Sequence, residues 1–355
     1  MTYLINVFFS YIYFFVCEKN KIKNIFIIYI PIIFLWTLII GGQYGVGTDY
    51  FSYLQIFNGQ KNLELYKRLQ EYIFYYFVYY FSDFFSEKQY LFFIISFVEN
   101  ILFFSFIFKL KKDNILNKIS IFIFLFLVYG TVFYNQMNTI RQYFDVYILS
   151  LIFFYFYKNK KVMYIALYCV GINIHKSFRY FLVLPFLIWT SQIINSKKLL
   201  KISLIVVTLI ILFFPIEDAI KKLVSYTSYD NYIYRIKELS LQNKITKIIF
   251  VPFYLEAINL IDRFKKEKQK LFFLKMGIIC FILRILLLTV YIAHRFGEYF
   301  GIINIFPIYY LIEEYYNNKK YIKLLMLLFL MSFLFVIKII VFPKGEYLYD
   351  SWFFN

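Results

Sequence analysis

Ile25-Phe26-Ile27-Ile28-Tyr29-Ile30-Pro31-Ile32-Ile33-Phe34-Leu35-Trp36-Thr37-Leu38-Ile39-Ile40 runs without a break into Gly41-Gly42-Gln43-Tyr44-Gly45-Val46-Gly47-Thr48-Asp49-Tyr50-Phe51-Ser52-Tyr53. The first half leaves no room for a water-exposed loop and reads as a membrane-crossing helix. The glycines of the second half release the backbone from helix geometry. Thr48 and Asp49 are the first small hydroxyl and acid after the membrane exit, and Tyr50 and Tyr53 suit the interface. Two readings of Thr48 and Asp49 stand side by side. One is an N-cap for the next helix. The other is an acid held just outside a bilayer, placed for chemistry on a lipid-linked substrate.

Composition supports the membrane reading. Hydrophobic residues make up 62% of the 355-residue chain and aromatics 25%, well above a soluble domain. Polar residues gather in short clusters between apolar runs, the pattern of an all-α, polytopic helical membrane protein. The alternation of a β-barrel porin is absent. The formal charge of +18 does not indicate nucleic acid, because the lysines cluster at the ends of apolar runs. Cys17, Cys169 and Cys280 lie inside apolar runs without motif spacing, which argues against a disulfide framework and a thiolate metal site. Two histidines without acid spacing give no metal motif, and no cofactor is expected. Tyr3–Val16 lacks the flanks of a cleaved signal and reads as a first membrane segment.

Apolar runs fall at 3–17, 25–40, 89–108, 119–134, 143–157, 162–175, 180–194, 199–216, 248–261, 271–293, 300–312 and 322–342. They predict about ten to twelve crossings, several of them shorter than the roughly 20 residues a bilayer requires. Lysine-dense loops around 19–23, 109–118, 158–161, 197–201, 263–270 and 319–323 are placed in the cytoplasm. The alternate segments 41–88, 135–142, 176–179, 217–247, 294–300 and 343–355 then face outward. This parity forbids a crossing by 72–85, an aromatic-rich stretch of about four helical turns, which is expected to lie in the outer interface. Loop 41–88 becomes one long external segment, with 217–247 a second. Without a repeat or a Pro- or Ser-rich linker, 1–355 reads as a single membrane domain.

The outward segments hold an unusual set of polar residues. They are Asn135-Gln136-Met137-Asn138-Thr139-Ile140-Arg141-Gln142, His175-Lys176-Ser177-Phe178-Arg179 and His294-Arg295-Phe296-Gly297-Glu298-Tyr299. Arginine presents a planar fork of donors that suits phosphate oxygens, and three Arg-bearing turns at one face would suit a pyrophosphate. The plainer alternatives are a cap or an Asp145 partner for Arg141, an interfacial anchor for Arg179, and a structural hydrogen bond for His175. Inside the runs, Arg284 is expected to pair with Glu99 or Glu256.

Val46-Gly47-Thr48-Asp49-Tyr50 with Tyr53, then Asn138-Thr139-Ile140-Arg141-Gln142, then His175-Lys176-Ser177 together resemble the EpsG family of bacterial proteins related to Wzy-type polysaccharide polymerases. The order and spacing of the three motifs fit over nearly the whole chain. Phe178 and Arg179 depart from the small apolar residues usual after the motif serine. The resemblance implies a glycosyltransferase that joins oligosaccharide repeat units carried on undecaprenyl diphosphate at the outer face of the inner membrane, the growing chain leaving its carrier for a hydroxyl of a fresh unit. It implies a GT-C-like fold with interfacial helices in a long first external loop, and leaves room for a chain-length regulator as a partner. On this reading Asp49 and His175 are catalytic. Arg141, Gln142, Lys176 and Arg295 bind diphosphate. Thr48, Tyr50, Tyr53, Asn138, His294 and Glu298 bind the rest of the substrate. An O-antigen-ligase-like transferase and a flippase of the lipid-linked unit are the alternatives.

Overall fold

A computed structural model describes residues 1–59, 63–130, 132–194, 196–213, 222, 241–289, 291–341, 343 and 345–354. Among them the structure is helical, with one isolated antiparallel bridge, Gln43 to Ser351. Most of the expected loop 217–247 lies outside the described residues. The described chain divides into two compact units, Met1–Leu182 with Leu328–Asn355, and Val183–Leu327.

The first unit contains α1 (Thr2–Lys19), α2 (Ile25–Gly41), α3 (Tyr50–Phe57), α4 (Glu64–Arg68), α5 (Tyr72–Phe81), α6 (Gln89–Lys112), α7 (Ile119–Val128), α8 (Val132–Asn135), α9 (Ile140–Tyr157) and α10 (Lys161–Ile174). Helix starts follow local chemistry. The Asn24 side chain accepts the Phe26 N–H at 3.0 Å to begin α2. Glu18, from the end of α1, accepts the Ser120 hydroxyl at 2.6 Å and the amide of Ile119. Its charge thus sits on the positive end of α7.

Helices α2 and α6 lie side by side, and α9 packs against α6 and α10. Helices α2 and α6 approach closely at Gly41, where an added Cβ would come 2.7 Å from the Phe93 Cα; glycine there permits the helix spacing. Trp36 is fully buried and gathers four helices besides its own. It stacks on Phe103 and Phe126 at 5.6 Å, meets Phe133 edge-on at 4.9 Å, and donates its indole N–H to Ser10 Oγ at 3.0 Å. Polar contacts add registry: Asn100 Nδ2 donates to Thr37 Oγ1 at 3.1 Å.

The apolar run 119–134 is not one helix. It breaks after α7, where the amides of Tyr129 and Gly130 both return to the Leu125 carbonyl at 2.9 Å, and resumes as the short α8. Helix α5 has 10 residues, about 15 Å of rise, half the thickness of a bilayer core. Its Phe74, Tyr75 and Val78 are buried while Tyr72, Ile73, Tyr76, Tyr79 and Tyr80 are exposed, so the helix has one buried and one exposed face.

The second unit contains α11 (Leu184–Ile193), α12 (Lys197–Phe213), α13 (Leu241–Ile248), α14 (Val251–Ala257), α15 (Leu260–Arg263), α16 (Lys268–Leu286), α17 (Tyr291–Glu298) and α18 (Ile305–Asn317). Helix α16 packs against α12 and α18. The Tyr254 and Phe281 rings stack in its core at 3.5 Å between centroids. The last helix, α19 (Tyr321–Val336), runs across the point where the two units divide and continues as a π-helical turn, Ile337–Val341. Helix α6 and the segment Tyr321–Val341 are long and apolar enough to cross a membrane.

In the first unit the tail returns to the glycine-rich turn. Tyr44 N donates to Asp350 O at 3.0 Å, Trp352 N to Gly42 O at 2.8 Å, and Tyr349 OH to Ile39 O at 3.0 Å. Segments 41–88 and 343–355 therefore meet.

The expected partner of Arg284 is corrected. It pairs with neither Glu99 nor Glu256 but with Glu298, at 2.6 Å, both side chains being almost fully buried. Glu256 instead accepts Tyr315 OH at 2.7 Å and Lys323 Nζ at 2.8 Å, while the Glu99 carboxyl has no hydrogen-bond partner among the described residues. The chain turns back between α16 and α17 and delivers Glu298 to the buried guanidinium, which no helical spacing in the sequence could show. Burial pushes the Glu298 carboxyl up, but Arg284, Lys247 and His294 outweigh it and hold the group below the ordinary glutamate range. A depressed pKa contributes stability that is complete above the unfolded value of about 4.3 and is lost only as pH falls through the lower folded value. Glu298→Gln is therefore expected to lower stability by about 3 kcal/mol and to do so equally at pH 8 and pH 5, read as thermal unfolding in detergent. A loss confined to pH 8 would contradict this account.

Candidate active site

The three sequence motifs of the first unit come together at the start of α9, and each is held by a specific contact. The turn before α3 needs glycine twice over at Gly47. Its φ of 74° is in the left-handed region, and an added Cβ would lie 2.6 Å from Asn138 Oδ1. Asn138, just before α9, uses that single oxygen as a clamp. It accepts the amides of Thr48 at 2.7 Å and Asp49 at 3.2 Å, and lies 3.1 Å from the Thr48 hydroxyl.

Asp49 occupies the N-cap position of α3, yet its side chain makes no capping bond. Its carboxylate is half-buried, and one oxygen is 3.2 Å from Thr48 Oγ1. The cap reading of the sequence is therefore right about position but does not account for the carboxylate. Thr48 is exposed.

Arg141, in the first turn of α9, is 17% exposed and sits in an aromatic cage. Its guanidinium carbon lies 4.6 Å from the Tyr66 ring centroid, 5.0 Å from Phe74 and 5.8 Å from Tyr53, each a cation–π distance. Its Nε donates to Tyr53 OH at 3.3 Å. Its Nη1 pairs with Glu71, whose side chain is 2% exposed. The other Glu71 oxygen accepts the Lys176 backbone N–H at 2.9 Å. Glu71 thus binds the α9 motif and the histidine motif at once, while Arg141 reaches the Tyr53 of the first motif. Burial pushes the Tyr53 phenol up despite the neighbouring guanidinium, so it remains a neutral hydroxyl.

The sequence reading did not single out Glu71. It is one of several acids in the loop 41–88, and its only local signal is that it precedes an aromatic helix, which suits a solvated helix start equally well. The Asp145 alternative for Arg141 is not adopted: the Asp145 carboxyl, one turn along α9, has no hydrogen-bond partner among the described residues.

His175 closes α10 in extended backbone. Its Nδ1 accepts the Ser177 amide at 3.1 Å, with Ser177 Oγ at 2.8 Å. With Nδ1 so occupied, a neutral imidazole carries its proton on Nε2 and acts as a donor there. Arg179 is anchored to the turn before α5, its Nη2 lying 3.3 Å from Leu69 O and 3.4 Å from Gln70 O.

Other expected site residues have different surroundings. Tyr50 is buried, stacks on Phe92 at 5.0 Å and donates to Gln89 Oε1 at 2.8 Å, so it serves as core. Gln142 is also buried. His294, Arg295 and Glu298 belong to the second unit. There Glu298 is committed to Arg284, and His294 Nε2 lies 3.5 Å from the same carboxylate, while Arg295 is exposed. Among the described residues no group of three or more His, Cys, Asp or Glu side chains could hold a metal.

The class follows from these features: among the described residues, a helical protein with two helices long and apolar enough to cross a membrane, and a charged centre built on short helices. A family model described as the EpsG family matches residues 25–353, and the chain belongs to that family. The EpsG family is one of Wzy-type polysaccharide polymerases, so the chain is a glycosyltransferase-type enzyme of polysaccharide biosynthesis. Searches of curated proteins and of solved structures each gave no match.

Two substitutions test the geometry. Asn138→Ala leaves two amides without their acceptor, expected to cost about 1–3 kcal/mol and to speed hydrogen exchange at Thr48 and Asp49. Asn138→Asp keeps the acceptor and should retain protection. Glu71→Ala leaves the Arg141 charge with no carboxylate, at about 3–5 kcal/mol. Combining it with Arg141→Met should recover much of that loss in a thermal-unfolding comparison, because the uncompensated charge is gone.

Proposed function

We propose that the chain is a multi-pass enzyme of the bacterial cytoplasmic membrane that polymerises oligosaccharide units carried on undecaprenyl diphosphate, with its active site facing outward. About ten to twelve apolar segments cross the bilayer, in a GT-C-like arrangement in which the loop 41–88 carries the interfacial helices α3–α5. The observation that supports this most is the meeting of three motifs around Glu71 and Arg141, Glu71 reaching 105 positions along the chain to Lys176. A structural ion pair alone would not require the adjoining uncapped Asp49 or a histidine with its donor nitrogen oriented by Ser177.

In the proposed reaction an acceptor sugar hydroxyl attacks the anomeric carbon of the growing chain. The new carbon–oxygen bond forms as the bond to the lipid diphosphate breaks. The electron pair leaves with the diphosphate, and the hydroxyl proton passes to Asp49. A lipid diphosphate is already a good leaving group, so the protein chiefly positions it and offsets its charge. Arg141 does this with the guanidinium donors that Glu71 and Tyr53 do not take. His175 Nε2–H and Lys176 add donors from the neighbouring turn. Gln142 is a further diphosphate ligand in this reading, and Thr48 and Asn138 contribute to sugar binding. Tyr50 and Tyr53 contribute through the packing of α3.

The test is the lipid-linked glycan profile of cells carrying Asp49→Asn or Arg141→Lys, with protein level checked. Loss of a general base or of an oriented donor is expected to cut polymer formation by about 10²-fold or more. Lysine should not substitute for arginine, since it lacks the planar fork. Single repeat units on lipid at the outer face support the polymerase. Units trapped at the cytoplasmic face indicate a flippase, full-length polymer left on the carrier indicates a ligase, and an unchanged profile removes both residues from the site.

A further inference from the structure

At the lysine-rich end of the first unit, the C-termini of α1 and α6 and the N-termini of α2 and α7 enclose a cleft of about 630 Å³. Its wall is apolar, formed by Phe14, Ile25, Ile28, Tyr29 and Phe108. Its mouth is strongly basic. Lys21, Lys23, Lys111, Lys112 and Lys118 line it, against a single carboxylate, Glu18. That carboxylate is already engaged with the amide of Ile119 and the hydroxyl of Ser120 at the start of α7. The nearby acid Asp113 is paired with Lys158 at 2.7 Å. Lys111 Nζ is held by Asn117 O at 2.5 Å, whereas Lys21, Lys23 and Lys112 are exposed.

An apolar cavity rimmed by five lysines is matched by a molecule with hydrocarbon at one end and a negative headgroup at the other. We propose that this cleft binds an anionic phospholipid of the cytoplasmic leaflet, one acyl chain lying against Phe14, Tyr29 and Phe108 and the phosphate held at the lysine mouth. Basic pockets between helices on the cytoplasmic side are suited to such headgroups, and the lysine parity of the sequence places this end in the cytoplasm. The polar cluster around Arg141 plays no part: none of its residues lines the cleft. The bound lipid bridges α1, α2, α6 and α7, so it ties the helix that leads into the glycine-rich turn to its neighbours at the opposite end.

The experiment uses the full chain in detergent and native mass spectrometry with phosphatidylglycerol or phosphatidylcholine of the same acyl chains. The wild type is expected to retain phosphatidylglycerol in clear preference. Each lysine near an anionic headgroup contributes about fivefold, so Lys21→Ala, Lys23→Ala and Lys112→Ala together should lower retention at least tenfold. Lys198→Ala, Lys319→Ala and Lys320→Ala together, which remove the same charge elsewhere, should leave it unchanged. Equal retention of the two lipids overturns the proposal. So does an equal loss in both triple variants, which would indicate bulk charge alone. Release of the lipid by inorganic phosphate at matched concentration also overturns it, since that would describe an anion site without the acyl-chain cleft.

Discussion

A buried charge requires a partner, and the ion pair of Glu71 with Arg141 is where that requirement organises the first unit. Glu71 is 2% exposed and Arg141 17%; neither would be stable there without the other. The pair joins the loop before α5 to the first turn of α9. The second Glu71 oxygen extends the link to the turn after α10, and the rings of Tyr53, Tyr66 and Phe74 close around the guanidinium. Remove the acid and three segments lose their common anchor.

The same arrangement explains how a loop can carry a defined site. Helices α3, α4 and α5 have 8, 5 and 10 residues, too few to be stable alone in water. They persist because their apolar residues pack as one cluster against α6, with Tyr53, Phe57, Phe74 and Phe92 inside it. Asn138 adds a polar clamp from the other side, fixing the backbone at Thr48 and Asp49 through one oxygen atom. Aromatic packing supplies most of the cohesion here, and a few directional bonds decide which polar atoms face outward. A site assembled this way is rigid where it must hold charge, while Thr48 stays exposed and Asp49 half-buried.

The second unit solves its own buried-charge problem differently. Arg284 and Glu298 lie 14 residues apart and meet through a reversal of the chain. His294, one helical turn from Glu298, shares the carboxylate. Glu298, a candidate substrate ligand in the sequence, is held by the deep arginine of its own unit. The two units share one rule, that a charge taken out of water is placed beside its counter-charge, but they carry it out with unrelated residues.

Much of this was legible in the sequence because it depends on one-dimensional pattern. Apolar runs predicted α1, α2, α6 and α10 closely, and the aromatic stretch 72–85 contains a short helix, α5, with one buried face. The motifs around Asp49, Arg141 and His175 were recognisable as an ordered set, and the family match over 25–353 bears that out. The sequence could not show that Glu71 links Arg141 to Lys176, that Asn138 clamps the turn, or that Tyr50 is core. Those are contacts between residues 39 to 105 positions apart, and only folding brings such atoms together. Hydropathy follows solvent exposure along the chain, whereas the choice of partner for a buried polar group depends on three-dimensional distance, which no local spacing encodes.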